Sequence, residues 1–298
     1  MTATDRTGLA KTGATAAPPA VSKRGSLIRW WSGGLFWNIP LALLALLATL
    51  PFIWMVLTSL KPLSETGLPN WLPTQLRWNN YLKVFQVIPF ARYYWNSIFV
   101  ASWITFLQVF TSALAAFAFS RLHWPGRNKV FLLYLATMML PGLVMVIPNY
   151  QVMIDLHLVN SFPGLIIPAA FSPFGVFLLR QFMLTIPPSL DESAMIDGAS
   201  PWRIFWDITL PLSRPGLITL TIFTFMGAYQ NFFWPLVMLK SQSRYTLPIG
   251  LLYFNSTAGQ TTNQLMAAVT MSIVPLVILF IVLQKYIVSG IQLGAVKG

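Results

Sequence analysis

The chain has 298 residues, of which 56% are hydrophobic and only 9% charged, and its mean hydropathy is +0.65. Soluble domains carry about 25% charged residues, so a globular surface kept in water is excluded. The formal charge of +12 does not point to nucleic acid, because the basic residues punctuate apolar segments instead of forming one patch; the lack of cysteine excludes disulfides, thiolate metal sites and a cysteine nucleophile.

Residues 1–29 are rich in Thr, Ala, Pro, Lys and Arg and have little to bury, which predicts a disordered basic tail. The first apolar run is too long for the apolar core of a cleavable signal peptide, so the tail is expected to stay in the cytoplasm, near anionic lipid. Residues 30–298 read as a single all-α transmembrane domain. A helix needs about 20 apolar residues to cross the hydrocarbon core. Six spans are expected, at Leu35–Leu60, Tyr93–Ser120, Val130–Tyr150, Phe162–Phe182, Gly216–Leu239 and Leu265–Leu283. The third and fourth contain Pro141, Pro148, Pro163, Pro168 and Pro173, which membrane helices tolerate when neighbours satisfy the freed carbonyls.

The distribution of Lys and Arg sets the expected orientation. With both termini inside, thirteen of the nineteen lie on the cytoplasmic side and six (Lys61, Arg77, Lys83, Arg92, Lys240 and Arg244) outside. The loop 61–92 is then extracytoplasmic, with Trp71, Trp78, Tyr81 and Tyr94 near the interface, and 285–298 is a cytoplasmic tail. His123 and His157 fall in short loops and are too few for a histidine-based metal site, so no metal is expected. No acidic side chain lies in any expected span, which argues against proton or sodium coupling and against a charged solute. Gln108, Thr111, Thr224, Tyr229, Gln230 and Asn231 are neutral polar groups suited to a polyhydroxylated solute, with Gln108, Tyr229, Gln230 and Asn231 the candidate substrate path. They suit hydrogen bonds between helices equally well.

The cytoplasmic loop 185–215 holds most of the acidic residues. Pro187 and Pro188 stop the preceding helix. Ser189 and Glu192 have capping-box spacing, and Asp191 and Glu192 fall in the first turn, where negative charge suits the helix dipole. Gly198 is placed to end this short helix in a left-handed conformation. Ser200 and Pro201 start a second helix, which Pro211 is expected to close. Ser193, Ala194 and Asp197 should share one side of the first helix, where small residues let another protein approach. Trp202, Phe205, Trp206 and Ile208 should pack back on the membrane domain or the partner. On local physics alone this could equally be an interfacial hairpin with no partner.

The wider pattern separates the two. Glu192-Ser193-Ala194, Gly198 and Ile208-Thr209-Leu210-Pro211 resemble the signature loop of permeases in binding-protein-dependent ABC importers, Glu-Ala-Ala, three residues, Gly, nine residues, Ile-x-Leu-Pro. The one departure is Ser193 in place of Ala. The segments Arg92–Ser97, Phe119–Gly126, Leu140–Gly142 and Ile147–Pro148 look like the maltose-type branch. The tail Gly294, Ala295, Val296, Lys297 and Gly298 resembles the C-terminus of its smaller subunit. One further departure is Tyr229-Gln230-Asn231, where that branch has Trp-Asn-acidic. The likeness runs from about Leu35 to Gly298.

The resemblance implies a type I importer permease core in the inner membrane that moves a neutral sugar-like solute and catalyses nothing itself. It implies a second permease, two ATPase subunits that use ATP and Mg, and an extracytoplasmic solute-binding protein. Glu192, Ser193, Ala194, Asp197, Gly198, Ile208, Leu210 and Pro211 would couple to an ATPase, and Gly294–Lys297 would reach it. No Lys follows a Gly, so the chain has no phosphate-binding loop of its own. The rival readings are a self-contained secondary transporter, which would need internal repeats and an ion site, and a membrane-embedded enzyme, which would need a base beside a nucleophile.

Overall fold

The computed structural model describes residues 24–258 and 261–295, and every regular element among them is helical. The chain divides into two compact units, Met1–Ile53 and Trp54–Gly298. Helix α1 (Arg24–Ser59) begins ahead of the expected end of the tail. Within the first unit Ile39, Leu41, Leu43, Leu44, Leu46 and Leu47 are all exposed. Side chains this apolar around the whole circumference belong in lipid or against another membrane protein, not in water.

In the second unit, α2 (Asn79–Val87) leads into α3 (Phe90–Ser120), the longest uninterrupted helix there after the last one. The remaining elements, in order, are α4 (Arg127–Ala136), α5 (Val146–Asp155), α6 (Pro163–Ala169), α7 (Pro173–Leu184), α8 (Pro188–Ile196), α9 (Pro201–Ile204), α10 (Leu210–Leu212), α11 (Arg214–Gln230), α12 (Phe233–Met238), α13 (Leu247–Ala258) and α14 (Thr262–Ala295). Helix α3 packs along α7 and α11, α11 packs along α14, and α14 along α2. Close approach is made by small residues: a Cβ on Gly175 would lie 2.5 Å from Ser112 Oγ and 3.2 Å from Leu220. Bilayer proteins gain helix association from such contacts because lipid supplies no hydrophobic drive between helices.

Three buried clusters follow α3 along its length. Tyr93, Phe90, Val84, Tyr229 and Leu247 form one near its start, and Val100, Ile104, Leu165, Met238 and Ile249 the next. Ala113, Ala116, Phe117, Leu179, Ile204 and Phe205 form the third, near its end.

Among the described residues three helical segments are long and apolar enough to cross a membrane, Asn38–Ser59, Phe90–Ser120 and Thr262–Gln284. Two bent pairs meet the same test together, α6 with α7 at 44°, and Pro201–Leu212 with α11 at 75°. The expected third span is not one helix. Helix α4 passes into a 3-10 turn at Thr137–Met139, and Leu140 is extended (φ −77°, ψ 121°) before Pro141, whose ring disfavours a helical predecessor. The expected fourth span breaks in the same way at Ser172 (φ −137°, ψ 113°) before Pro173. There Ser172 Oγ accepts from Gly175 N at 3.0 Å and caps α7. The fifth ends at Gln230, and α12 carries its expected end. Helix α13 lies between the expected fifth and sixth spans, where no element is predicted.

Candidate functional site

The loop 185–215 folds as two short helices joined by a tight turn. Helix α8 starts with Pro187 as its cap and Pro188 at the first helical position. The expected capping box is therefore absent. Ser189 is already inside the helix, and no side chain caps the end. The prolines take over: Pro188 has no N–H to leave unpaired, and its fixed φ suits a helix start.

Asp191 does occupy the first turn, but it does not face solvent. It is 6% exposed and its Oδ2 lies 3.1 Å from Nη1 of Arg121, the residue that caps the end of α3. Nη2 of the same guanidinium donates to Met183 O (2.7 Å) and Ile186 O (2.9 Å) at the end of α7. Three segments thus converge on one side chain. Local spacing gave no sign of this pair, whose members are 70 residues apart in the chain; a lone Arg at the end of an apolar run was the only signal.

The turn after α8 closes on backbone bonds. Ala199 N donates to Ala194 O (2.9 Å) and Gly198 N to Met195 O (3.0 Å), and Gly198 has φ +81°. This paired pattern satisfies the last carbonyls of the helix and needs a left-handed residue at the glycine position. Ala194 and Ala199 both pack against the third cluster. Ala194 thus faces inward more than Ser193 and Asp197, which are exposed with Glu192. Ser200 then caps α9, its Oγ accepting from Arg203 N at 3.3 Å, with Pro201 at the first position.

Helix α9 runs into a π turn, Phe205–Thr209, in which Leu210 N donates to Phe205 O. The wide turn precedes a proline that has no donor to offer, and the helix passes Pro211 to end at Leu212, one residue beyond the expected stop. Of the four residues expected to pack inward, Phe205 is fully buried, edge-on to Phe117 at 5.2 Å, and Ile208 is half-buried. Trp202 and Trp206 are 58% and 42% exposed, and Ile204, which was not singled out, takes the buried place. An open cavity of about 320 Å³ lies between the limbs, lined by Ala194, Asp197, Arg203, Ile204, Asp207 and Ile208. The tip is bare and apolar, with Met195 56% and Ile196 86% exposed.

The other candidate residues are dispersed. Gln108 Nε2 donates to Thr224 Oγ1 (3.0 Å), Thr111 Oγ1 to Ala170 O (2.6 Å) and Tyr229 OH to Ser272 O (3.0 Å), so each joins two helices. Gln230 is exposed. Asn231 Oδ1 accepts from Trp234 N (3.3 Å) and lines a cavity of about 30 Å³ with Ser97, Thr246 and Trp234. That volume is about the share of one water in the liquid. Gly294 and Ala295 end α14, whereas Val296 and Lys297 lie outside the described residues. No three His, Asp or Glu side chains come together among the described residues as a metal would require.

Bent and broken apolar helices thus pack around a long central one, with a helix–turn–helix at their end. Residues 108–293, more than half of the chain, match the family model described as "Binding-protein-dependent transport system inner membrane component", and the chain belongs to that family. It is 36% identical over 270 residues to the arabinooligosaccharides transport system permease protein AraQ of Halalkalibacterium halodurans, covering 88% of this chain and 95% of that one. It is 37% identical over 205 residues to the sn-glycerol-3-phosphate transport system permease protein UgpE of Yersinia pestis, covering 68% and 73%. Among solved structures, a chain of a bacterial ABC transporter involved in the import of the acidic polysaccharide alginate superposes with a TM-score of 0.75 at 24% identity. That match covers 90% of this chain and 99% of the other, and it shows the fold.

Proposed function

We propose that the chain is one of two permeases of an inner-membrane ABC importer that moves a sugar or sugar-like neutral solute into the cytoplasm. Two partner ATPases would use ATP and Mg, and an extracytoplasmic binding protein would deliver the solute. The hairpin 188–213 would seat α8 on one ATPase and turn its closure into a rocking of the helices, with both termini of the chain in the cytoplasm. Coupling of this kind requires that the hairpin contact the two ATPase states differently.

The observation that carries this reading is the hairpin tip. Met195, Ile196 and Trp202 are exposed beside Glu192, Ser193 and Asp197, on a turn held rigid by its own backbone bonds. An exposed apolar tip marks a surface that a protein or a lipid interface covers, and the signature pattern from Glu192 to Pro211 favours a protein. The names of the relatives support a sugar-class solute, since AraQ is named for arabinooligosaccharides. A neutral one fits the lack of acidic side chains in the expected spans. Arg180, the cation of those spans, is occupied at the end of α7, with Nε on Phe119 O (3.2 Å) and its guanidinium over the Phe131 ring.

The test is ATP hydrolysis by the complex in lipid, with and without binding protein and candidate sugars, for wild type and Gly198→Asp. At φ +81° a side chain is strained, and the new carboxylate would sit at the contact, although no neighbouring atom lies within 4 Å of its Cβ. The expected result is a folded permease that has lost stimulated hydrolysis and uptake. Normal stimulation by the variant would refute the coupling role.

A further inference from the structure

The hairpin is attached to the membrane helices covalently by residues 185–187 and again at Ser213. A chain link of a few residues transmits force poorly unless it is braced. Apolar packing of Ala194, Ala199, Ile204 and Phe205 into the third cluster supplies part of that brace, and the polar part is the Arg121 guanidinium, which holds Asp191 of α8 on one nitrogen and the α7 terminus (Met183 O, Ile186 O) on another. Both partners of the ion pair are 8% exposed at the side chain. Arg121 immediately follows Ser120, the last residue of α3, and α3 is the helix along which both α7 and α11 pack.

We propose that Arg121 and Asp191 are positioning residues for transport. They make α8, α7 and the end of α3 one rigid lever, so that displacement of α8 by an ATPase moves α3 instead of flexing the 185–187 link. This rests on the reading of the hairpin as the ATPase-coupling element. It concerns a different face of α8: Glu192 and Ser193 point outward, and Asp191 points back to the membrane domain.

The chemistry favours a lever over a simple staple. A guanidinium offers five donors in a fixed planar fork, so one side chain can hold a carboxylate and two carbonyls in a set mutual orientation. An ammonium could supply the charge but not that geometry. Removing one partner of a buried pair leaves the other charge unpaired, whereas replacing both by apolar side chains of similar size is often neutral to stability. Stability and coupling can therefore be separated.

The experiment uses the whole complex, permease pair, ATPases and binding protein, in lipid nanodiscs for hydrolysis and proteoliposomes for uptake. Solute imported per ATP hydrolysed is compared for wild type, Asp191→Asn, Asp191→Glu, Arg121→Lys and the double variant Arg121→Met with Asp191→Leu. The thermal midpoint and ATPase retention of each complex are recorded alongside. The expected result is that ATP hydrolysis persists in Asp191→Asn while import per ATP falls about tenfold, a size usual for coupling between sites. Asp191→Glu should recover most of it and Arg121→Lys little. Should Asp191→Asn fail to assemble, the apolar double variant decides: assembled but uncoupled supports the lever. Full import per ATP in either assembled variant overturns it, as does a loss that simply follows the thermal midpoint across the series. A wild-type complex that neither retains ATPases nor couples would instead sink the coupling role of the hairpin itself.

Discussion

The two ends of α3 are built on opposite plans. Its 31 residues separate them by about 45 Å at 1.5 Å per residue. At the start, loops close on themselves. Asn80 Nδ2 donates to Ser59 O (2.8 Å) and Lys61 O (3.0 Å), and Asn263 Nδ2 adds a second bond to Lys61 O (3.1 Å). Lys61 is 1% exposed and its Nζ donates to Asn70 O. Glu65 accepts from Thr74 Oγ1 and from Thr74 N (3.1 Å). Nearby, Asn160 stitches two loops: its Oδ1 accepts from Lys240 N and Ser241 N, both at 3.0 Å, and its Nδ2 donates to Ser241 Oγ (2.7 Å). At the other end the hairpin is braced from behind and bare in front. One end carries its own polar partners; the other leaves Met195 and Ile196 bare. Stability should respond to changes at the first end, and assembly to changes at the second.

Asn160→Ala should break that contrast most visibly if it is wrong. It leaves three donors or acceptors of the 240–241 segment without their partner, an expected loss of about 2 kcal/mol. Hydrogen exchange should speed up across 157–162 and 239–245, while co-purification of the ATPases stays unchanged. Loss of the ATPases on this substitution would mean that the two ends are not independent.

Glu65 offers a smaller, pH-dependent effect. The Thr74 side-chain hydrogen bond, then the Thr74 backbone bond, hold its carboxyl below the usual carboxylate range. A carboxylate whose pKa is lowered on folding contributes stability at pH values above its unfolded pKa, and that contribution disappears as pH falls through the folded value. Segment 61–78 should thus be protected from exchange at neutral pH and open in acid, below the ordinary titration of a glutamate. Glu65→Gln should be insensitive to pH over that window. Equal acid opening in both proteins would assign the effect to another group.

Ile196→Asp should have the smallest effect on the chain and a large one on the assembly. At 86% exposure its side chain contributes little to the fold, so the melting of the isolated permease should shift by less than about 0.5 kcal/mol. The ATPases should be lost on washing. Retention of the ATPases by this variant would place the docking face elsewhere on the hairpin.

Parts of this arrangement were legible in the sequence for simple reasons. Helix α3, expected at Tyr93–Ser120 and found at Phe90–Ser120, is long, apolar and free of proline, so hydropathy alone suffices. Gly198 and the Ser200–Pro201 start carry their backbone chemistry in their residue types. The break inside the third expected span is invisible to hydropathy, which sums side chains and ignores the extended residue that Pro141 demands before it. The capping box failed because Pro187 and Pro188 took the positions that Ser189 needed. Helix α13 escapes a search for spans because its twelve residues are too few to cross a bilayer. The Arg121–Asp191 pair was out of reach because pairing across the chain is a property of packing, and neither residue's neighbours encode the other.

The π turn at Phe205–Thr209 bears on how such a hairpin is inherited. A π turn holds one residue more than the α-helical turn it interrupts. Each residue of an α-helix advances about 100° around the axis. Losing a single codon there would rewind the turn and rotate α9, with the tip attached to it, by about that angle relative to α11. The azimuth at which the hairpin leaves the membrane domain is therefore set by one residue. Substitutions along the hairpin can be tolerated by degrees, whereas a change of length in this stretch redirects the whole tip at once.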